Sequence, residues 1–306
     1  MENKWTYNYY LFFRASFGLY IFIHFLELLP FTKELFSNQG MLPNASLSPL
    51  FFLFPNILWI NDSPETVILL TLLGVFGSVC LFFGKGDRFA SLILWYILTC
   101  FFDRNPFISN PSLPYVGWLL LGFAAIPRVK EKKDWRMPNF LFLAGWVAMS
   151  VGYSYSGYMK LGSPSWMDGS AIELILKNPL VRLTKFRDIL LMMPKFFLMS
   201  FTYSALLLEL LFALLALFKK IRPWIWLALF LMHLSLLLLL DFADLTFGMI
   251  LLHLFTFDPG FLKVYRLLFF SLKSRFKNLK ANVYLHRPLP LSVKMGVIKE
   301  DGSPSN

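Results

Sequence analysis

A single lysine, Lys160, ends a long apolar stretch and has small, aromatic and hydroxyl-bearing neighbours. The segment reads Tyr153-Ser154-Tyr155-Ser156-Gly157-Tyr158-Met159-Lys160-Leu161. A cationic side chain at the end of a membrane helix is costly if its charge enters the lipid, so such a residue is a candidate for function. An apolar pocket favours the neutral amine, which can accept a proton from a bound molecule. We predict that Lys160 is a general base; a side chain that extends to the outer membrane interface is the alternative.

The residues around Lys160 predict a binding site beside it. Gly157 leaves the helix surface next to the lysine bare, so that another backbone or a flat ligand can approach. Tyr153 lies on roughly the same helix face, and Trp166 follows the lysine segment at the expected membrane interface. We therefore predict that Tyr153, Gly157 and Trp166 contact a cofactor held near the amine.

Two further ionisable residues lie deep inside apolar segments. Glu209 has apolar neighbours in the run 204–218, and a carboxyl group in such a place must be paired or protonated. His233, in a later apolar run, is the natural candidate partner. We predict that Glu209 and His233 assist catalysis by moving protons, with a structural hydrogen bond as the alternative.

Several charged residues fall near the outer ends of the predicted membrane helices. If the helices close into one bundle, these residues form a polar ring around an outward-opening pocket. They are Glu27, Asp103, Arg104, Lys160, Asp241 and Asp244. The histidines show no paired ligand spacing and the cysteines form no cluster, so we predict no metal site.

The composition is that of a membrane protein. The chain is 57% hydrophobic and 15% charged, whereas soluble domains have about 25% charged residues. Its longest apolar runs are sufficient to cross a hydrocarbon core of about 30 Å. The net charge of +11 comes from loops and a tail, where lysine and arginine contact the bilayer and its anionic headgroups rather than nucleic acid.

Hydropathy predicts an all-α, polytopic transmembrane helical bundle of about eight spans. They are 9–29, 66–83, 89–102, 113–127, 138–160, 196–218, 223–241 and 244–258. Most lysines and arginines fall on the side of the N-terminus, the loop 128–137 and the C-terminal tail. This asymmetry predicts that both termini are cytoplasmic.

The sequence also predicts two regions, the bundle at 1–260 and a cytoplasmic tail at 261–306. Lysine and arginine recur on one face of Leu262–Lys280, with phenylalanine and leucine between them. This pattern is typical of a basic amphipathic helix on the inner membrane surface. Residues 285–306 are polar and contain prolines, so we predict that they are disordered.

The segment 155–161, together with Trp166 and Gly169, resembles the active-lysine segment of the vitamin K-dependent gamma-carboxylase family. This family belongs to a wider group of membrane proteins with an HTTM domain (horizontally transferred transmembrane domain). Looser similarity over about residues 8–260 involves Arg14 and Gly18, Asp103-Arg104-Asn105, Glu209 and His233. The resemblance implies that Lys160 deprotonates a lipid quinol such as vitamin K hydroquinone. It also implies that the loop 161–169 shapes the quinol pocket and that the site faces away from the cytoplasm.

The chain differs from the carboxylases at Ser109-Asn110-Pro111-Ser112, where those enzymes have a histidine. From the resemblance and the composition together, we expect a multi-pass protein of a bacterial inner membrane. We expect it to be a quinol-dependent, carboxylase-like lyase with a peptide or protein substrate. The alternative is a non-catalytic membrane partner or chaperone for a secreted or membrane protein. A transporter is a third interpretation, which the lack of an internal repeat disfavours.

Overall fold

The computed structural model describes residues 5–127, 135–241 and 243–267. The helices in these ranges are α1 (Tyr7–Leu28), α2 (Thr32–Phe36), α3 (Pro64–Phe83), α4 (Asp87–Arg104), α5 (Leu113–Ala125), α6 (Asn139–Lys160), α7 (Pro164–Met167), α8 (Ala171–Leu176), α9 (Lys185–Leu191), α10 (Lys195–Leu210), α11 (Phe212–Ala216), α12 (Arg222–Leu239) and α13 (Ala243–Thr256). Apart from an isolated β-bridge between Val181 and Leu240, the described secondary structure is helical. The predicted all-α class is confirmed.

Three helical stretches are long and apolar enough to cross a membrane: Tyr7–Phe36, Pro64–Phe83 and Arg222–Leu239. Among the described residues the number rises to five if each of two bent helix pairs is one span. Large apolar side chains such as Phe76 (67% exposed) project from these helices, as contact with lipid requires. Each predicted span overlaps a helix, and these long apolar helices fit a membrane protein.

Helices α1 and α3 pack against each other over much of their length, and small residues bring them close. A Cβ atom added at Gly18 of α1 would lie 2.6 Å from the backbone nitrogen of Phe82 in α3. Only a glycine permits this approach, and van der Waals contact of this kind is the main source of helix association within lipid.

The predicted span 196–218 is not one continuous helix. Helix α10 ends at Leu210 and α11 begins at Phe212. The amide of Ala213, just after the break, donates to Ser154 Oγ of α6 at 3.0 Å. A side chain that takes over a backbone amide in this way interrupts the helical hydrogen-bond ladder. Glu209 lies just before the break, in the last turn of α10.

The segment between α6 and α10 folds onto α10 and α12 instead of forming an open loop. Leu176 of α8 packs with Leu198 of α10 and Leu239 of α12. Beyond them, the amide of Arg182 donates to the Leu239 carbonyl, and the amide of Asp241 donates to the Leu180 carbonyl, both at 2.8 Å. Helices α7 to α9 therefore cover one side of α10 and α12.

The chain divides into two compact units, Met1–Asp258 and Pro259–Asn306. In the second unit, the described residues include the helical segment Phe261–Leu267, which contains Lys263 and Arg266 of the predicted basic face. The rest of the predicted amphipathic helix and the predicted disordered region 285–306 lie outside the described residues.

Candidate functional site

Lys160, the last residue of α6, contacts Glu209 near the end of α10. Its Nζ donates to Glu209 Oε2 and, at 3.3 Å, to Ser156 Oγ. The side chain of Glu209 is 6% exposed and that of Lys160 is 21% exposed. An ion pair so poorly hydrated is held by its direct contact, because each charge alone would be costly in an apolar setting.

Gly157 makes this contact geometrically possible. A Cβ atom at Gly157 would lie 2.4 Å from the backbone nitrogen of Leu210, so the two helix backbones touch at this level. The bare surface beside Lys160 is therefore filled by the end of α10. Protein backbone occupies that side of the helix, and the contact of Gly157 with a cofactor stays a prediction.

A cavity of about 650 Å3 opens beside the ion pair. We call it the lysine cavity. Its walls come from α8 to α10, from α12, and from Lys160 and Trp166. The lining residues are Lys160, Trp166, Ile172, Ile175, Leu176, Asn178, Leu180, Phe186, Leu190, Phe201, Ser204, Ala205, Leu208, Glu209, Met232, Ser235, Leu236, Leu239 and Leu240. The amine and the carboxylate are thus the charged groups in a wall that is otherwise largely apolar.

Trp166 lies in the wall of the lysine cavity next to the amine. Lys160 Nζ is 4.7 Å from the centroid of the Trp166 ring. The negative face of an indole ring attracts a cation at this distance. Trp166 therefore contributes to holding the amine at the cavity, and its contact with a ligand stays a prediction.

Tyr153 and His233 belong to a separate, buried group. The Tyr153 hydroxyl lies 2.7 Å from Nε2 of His233 and 2.7 Å from Nε2 of His253. A hydroxyl donates only one hydrogen bond, so at least one of the two histidines must donate to it. Within the described part of the chain, Nδ1 of each histidine has no hydrogen-bond partner.

This group bears on two predictions. His233 does not pair with Glu209, because Glu209 pairs with Lys160 while His233 bonds to Tyr153. Tyr153 is 4% exposed and is not among the residues that line the lysine cavity. Its hydroxyl lies between His233 of α12 and His253 of α13, and its contact with a cofactor stays a prediction.

The predicted polar ring separates into distinct groups. Asp103 accepts from Asn56 Nδ2 at 2.8 Å and from Trp59 Nε1 at 2.9 Å. Arg104, which is fully buried, donates to the Leu42 carbonyl at 2.5 Å and also bonds to Asp62. These two residues anchor the segment between α2 and α3. They do not line the lysine cavity, so a single ring around one pocket is wrong.

Asp241 and Asp244 also lie apart from Lys160. The Asp241 side chain is 79% exposed, with Arg182 Nε 3.5 Å away. Asp244 instead accepts from Asn110 Nδ2 at 2.5 Å and lies 3.1 Å from His24 Nδ1. Together with Glu27, this group lines a second cavity of about 190 Å3. The contact of His24 and Asn110 with Asp244 was not predicted from the sequence, because the three residues belong to different helical regions.

Among the described residues, no group of three or more histidine, cysteine, aspartate or glutamate side chains is arranged to hold a metal ion. Comparisons of the chain with protein-family models, with curated proteins and with solved structures found no match.

Proposed function

We propose that the lysine cavity binds a lipid-soluble molecule with an acidic hydroxyl group, of the quinol class, and that Lys160 takes the proton of that hydroxyl. One observation carries the proposal: Lys160 and Glu209 touch each other in the wall of a largely apolar cavity of about 650 Å3. Cavities of roughly 300–1,000 Å3 with apolar walls and a few placed polar groups are typical of small-molecule sites.

The walls suit a ring that carries an apolar chain. Leu208 and Met232 present hydrocarbon surface and Phe201 and Phe186 present rings. Removing such a ligand from water stabilises the complex by about 25 cal/mol for each Å2 of apolar surface buried. The hydroxyl group of the ligand then has two charged partners in the wall, Lys160 and Glu209.

The ion pair supplies a route to a neutral amine. A proton that moves from Lys160 Nζ to Glu209 Oε2 along their hydrogen bond gives an uncharged pair, which an apolar cavity tolerates better than two ions. The lone pair of the amine then takes the ligand's hydroxyl proton. The products are an ammonium group and a ligand oxyanion in contact, and the oxyanion is stabilised by that charge.

The resemblance of residues 155–161 to the gamma-carboxylases supports this assignment and suggests the class of enzyme. We also propose that the chain belongs to the HTTM group. In a carboxylase-like lyase, the deprotonated quinol would react onward and a peptide or protein would be the second substrate. A non-catalytic membrane partner or chaperone is the alternative, and the following experiment separates the two.

Binding can be followed with a prenylated naphthoquinone, which quenches the fluorescence of nearby tryptophans such as Trp166. We expect saturable quenching of the purified protein. Ala205→Trp fills the cavity and should abolish saturable binding, whereas Leu214→Trp, at an exposed site outside the cavity wall, should leave it intact. Equal binding by the Ala205→Trp variant would place the site elsewhere. No binding by the unaltered protein, together with a stable co-purifying protein, would favour the partner role.

We further propose that the eight helices α1, α3, α4, α5, α6, α10, α12 and α13 are inserted in a bacterial inner membrane with both termini cytoplasmic. The positive charge of the loop 128–137 supports this orientation. A membrane-impermeant maleimide on intact cells should label Asp168→Cys and spare Lys85→Cys; both positions are exposed. The unaltered chain, with Cys80 and Cys100, gives the background. Labelling of the Lys85→Cys variant alone would reverse the orientation.

A further inference from the structure

We propose that a second site, separate from the lysine cavity, binds a single-chain amphiphile whose polar head is a primary amine. The site consists of two adjoining cavities of about 190 Å3 and 340 Å3 along α4 and α5. We call them the head cavity and the tail cavity. None of their lining residues lines the lysine cavity.

The head cavity is built around the carboxylate of Asp244. Its Oδ1 lies 3.1 Å from His24 Nδ1, and its Oδ2 accepts from Asn110 Nδ2 at 2.5 Å. Because a carboxylate only accepts, a neutral His24 carries its proton on Nδ1 and leaves a lone pair on Nε2. Asn110 is itself fixed, since its Oδ1 accepts from the amide of Ser112 at 2.8 Å. The fixed hydrogen-bond acceptor of the head cavity is thus His24 Nε2.

The charges of the head cavity select a cationic head. Glu27 and Asp244 both line it, and its lining residues include no lysine or arginine. Asn105, another wall residue, is 1% exposed, and its side-chain oxygen has no hydrogen-bond partner in the described part of the chain. A buried acceptor without a donor is costly. A primary ammonium group has three donors, which match Glu27, His24 Nε2 and Asn105.

The tail cavity continues from the head cavity through shared walls. Leu98, Phe102 and Leu113 line both. The other lining residues of the tail cavity are Trp95, Thr99, Pro114, Gly117, Trp118 and Leu121. A hydrocarbon chain attached to an amine in the head cavity would therefore lie between α4 and α5 against two indole rings. Apolar surface that leaves water in this way provides most of the binding free energy.

The geometry disfavours an anionic amphiphile. A fatty acid head would face Asp244, whose side chain is 16% exposed, with the carboxylate of Glu27 also in the wall. Like charges at short range repel strongly where hydration is poor, as it is at Asp244. The whole chain has a net charge of +11, so non-specific attraction favours the acid over the amine. A preference for the amine must therefore come from the local site.

The test compares 11-bromoundecylamine with 11-bromoundecanoic acid, since the terminal bromine quenches tryptophan fluorescence. We expect the amine to bind roughly tenfold more tightly than the acid, because a hydrogen bond to a charged group contributes about that difference in affinity. Trp118→Phe should reduce the maximal quenching, because that ring lies in the tail cavity. Ala205→Trp, which fills the lysine cavity, should keep the tenfold preference for the amine, so that failure of this site is distinguishable from failure of the lysine cavity.

Two substitutions decide whether the head cavity is responsible. Glu27→Gln and Asp244→Asn should each reduce the preference for the amine towards equality. Glu27 is exposed, so its replacement leaves the fold intact even if Asp244→Asn does not. Equal affinity for amine and acid in the unaltered protein would overturn the proposal. A preference that both variants retain, or quenching that Trp118→Phe does not alter, would overturn it too.

Discussion

Lys160→Arg is expected to slow proton removal from a bound quinol by about 10²–10⁴-fold, although it keeps the positive charge. A guanidinium group stays protonated in proteins, so it can pair with Glu209 but cannot accept the proton. Lys160→Met should cause a loss of similar size. The readout is oxidation of a prenylated naphthohydroquinone by dissolved oxygen, because the quinol anion gives up electrons more readily than the neutral quinol.

The matched control for this prediction is Lys177→Arg. Lys177 also pairs with a glutamate, Glu173, but its side chain is 57% exposed and lies outside the cavity wall. Its replacement should leave the oxidation rate unchanged. If Lys160→Arg oxidised the quinol as fast as the unaltered protein, Lys160 would act through its charge alone and would not be the base.

Glu209→Leu is expected to lower the free energy of unfolding by about 3 kcal/mol, because it leaves the amine of Lys160 in an apolar wall without its anion. Combining it with Lys160→Met should recover a large part of that loss, since the double variant has no uncompensated charge. Thermal and denaturant unfolding in a fixed detergent measures all three variants.

Glu173→Leu is the control for the second prediction, because it removes the exposed partner of Lys177 and should change stability little. Two results would contradict the role given to the ion pair. One is a Glu209→Leu variant as stable as the unaltered protein. The other is a double variant no more stable than Glu209→Leu alone, which would show that the two side chains act independently.

Hydropathy was sufficient to predict where the helices of the bundle lie. Each predicted span overlaps a helix, because a long apolar segment within lipid has to satisfy its backbone hydrogen bonds internally. The break at Leu211 was not predictable in the same way. It depends on Ser154 Oγ, which belongs to a helix far away in the sequence and bonds to the amide of Ala213.

The candidate site was predictable in its parts but not in its pairing. Lys160, Glu209 and Trp166 stood out by their types and settings, and all three line one cavity. The partner of Glu209 was assigned wrongly because helix order does not determine which faces meet. The close approach at Gly157 brings Leu210 and Glu209 to the lysine, while Tyr153 takes His233.

The polar ring failed for a related physical reason. Charged residues at similar heights in a bundle need not face one another, because each helix also presents faces to its other neighbours. Asp103 and Arg104 turn towards the segment between α2 and α3, where they bind Trp59 and Asp62. Asp244 turns towards His24 and Asn110. Only the folded structure shows whether such a residue lines a cavity or holds another segment of the chain in place.

Whether Lys160 takes the proton of a bound quinol can be read from the absorption spectrum of a naphthohydroquinone bound under anaerobic conditions. We expect the saturated, unaltered protein to show the band of the quinol anion at neutral pH, and Lys160→Arg, at equal saturation, to show only the neutral quinol. A neutral quinol in the saturated, unaltered protein would contradict this role of Lys160, because the amine would then be in contact with the hydroxyl without taking its proton.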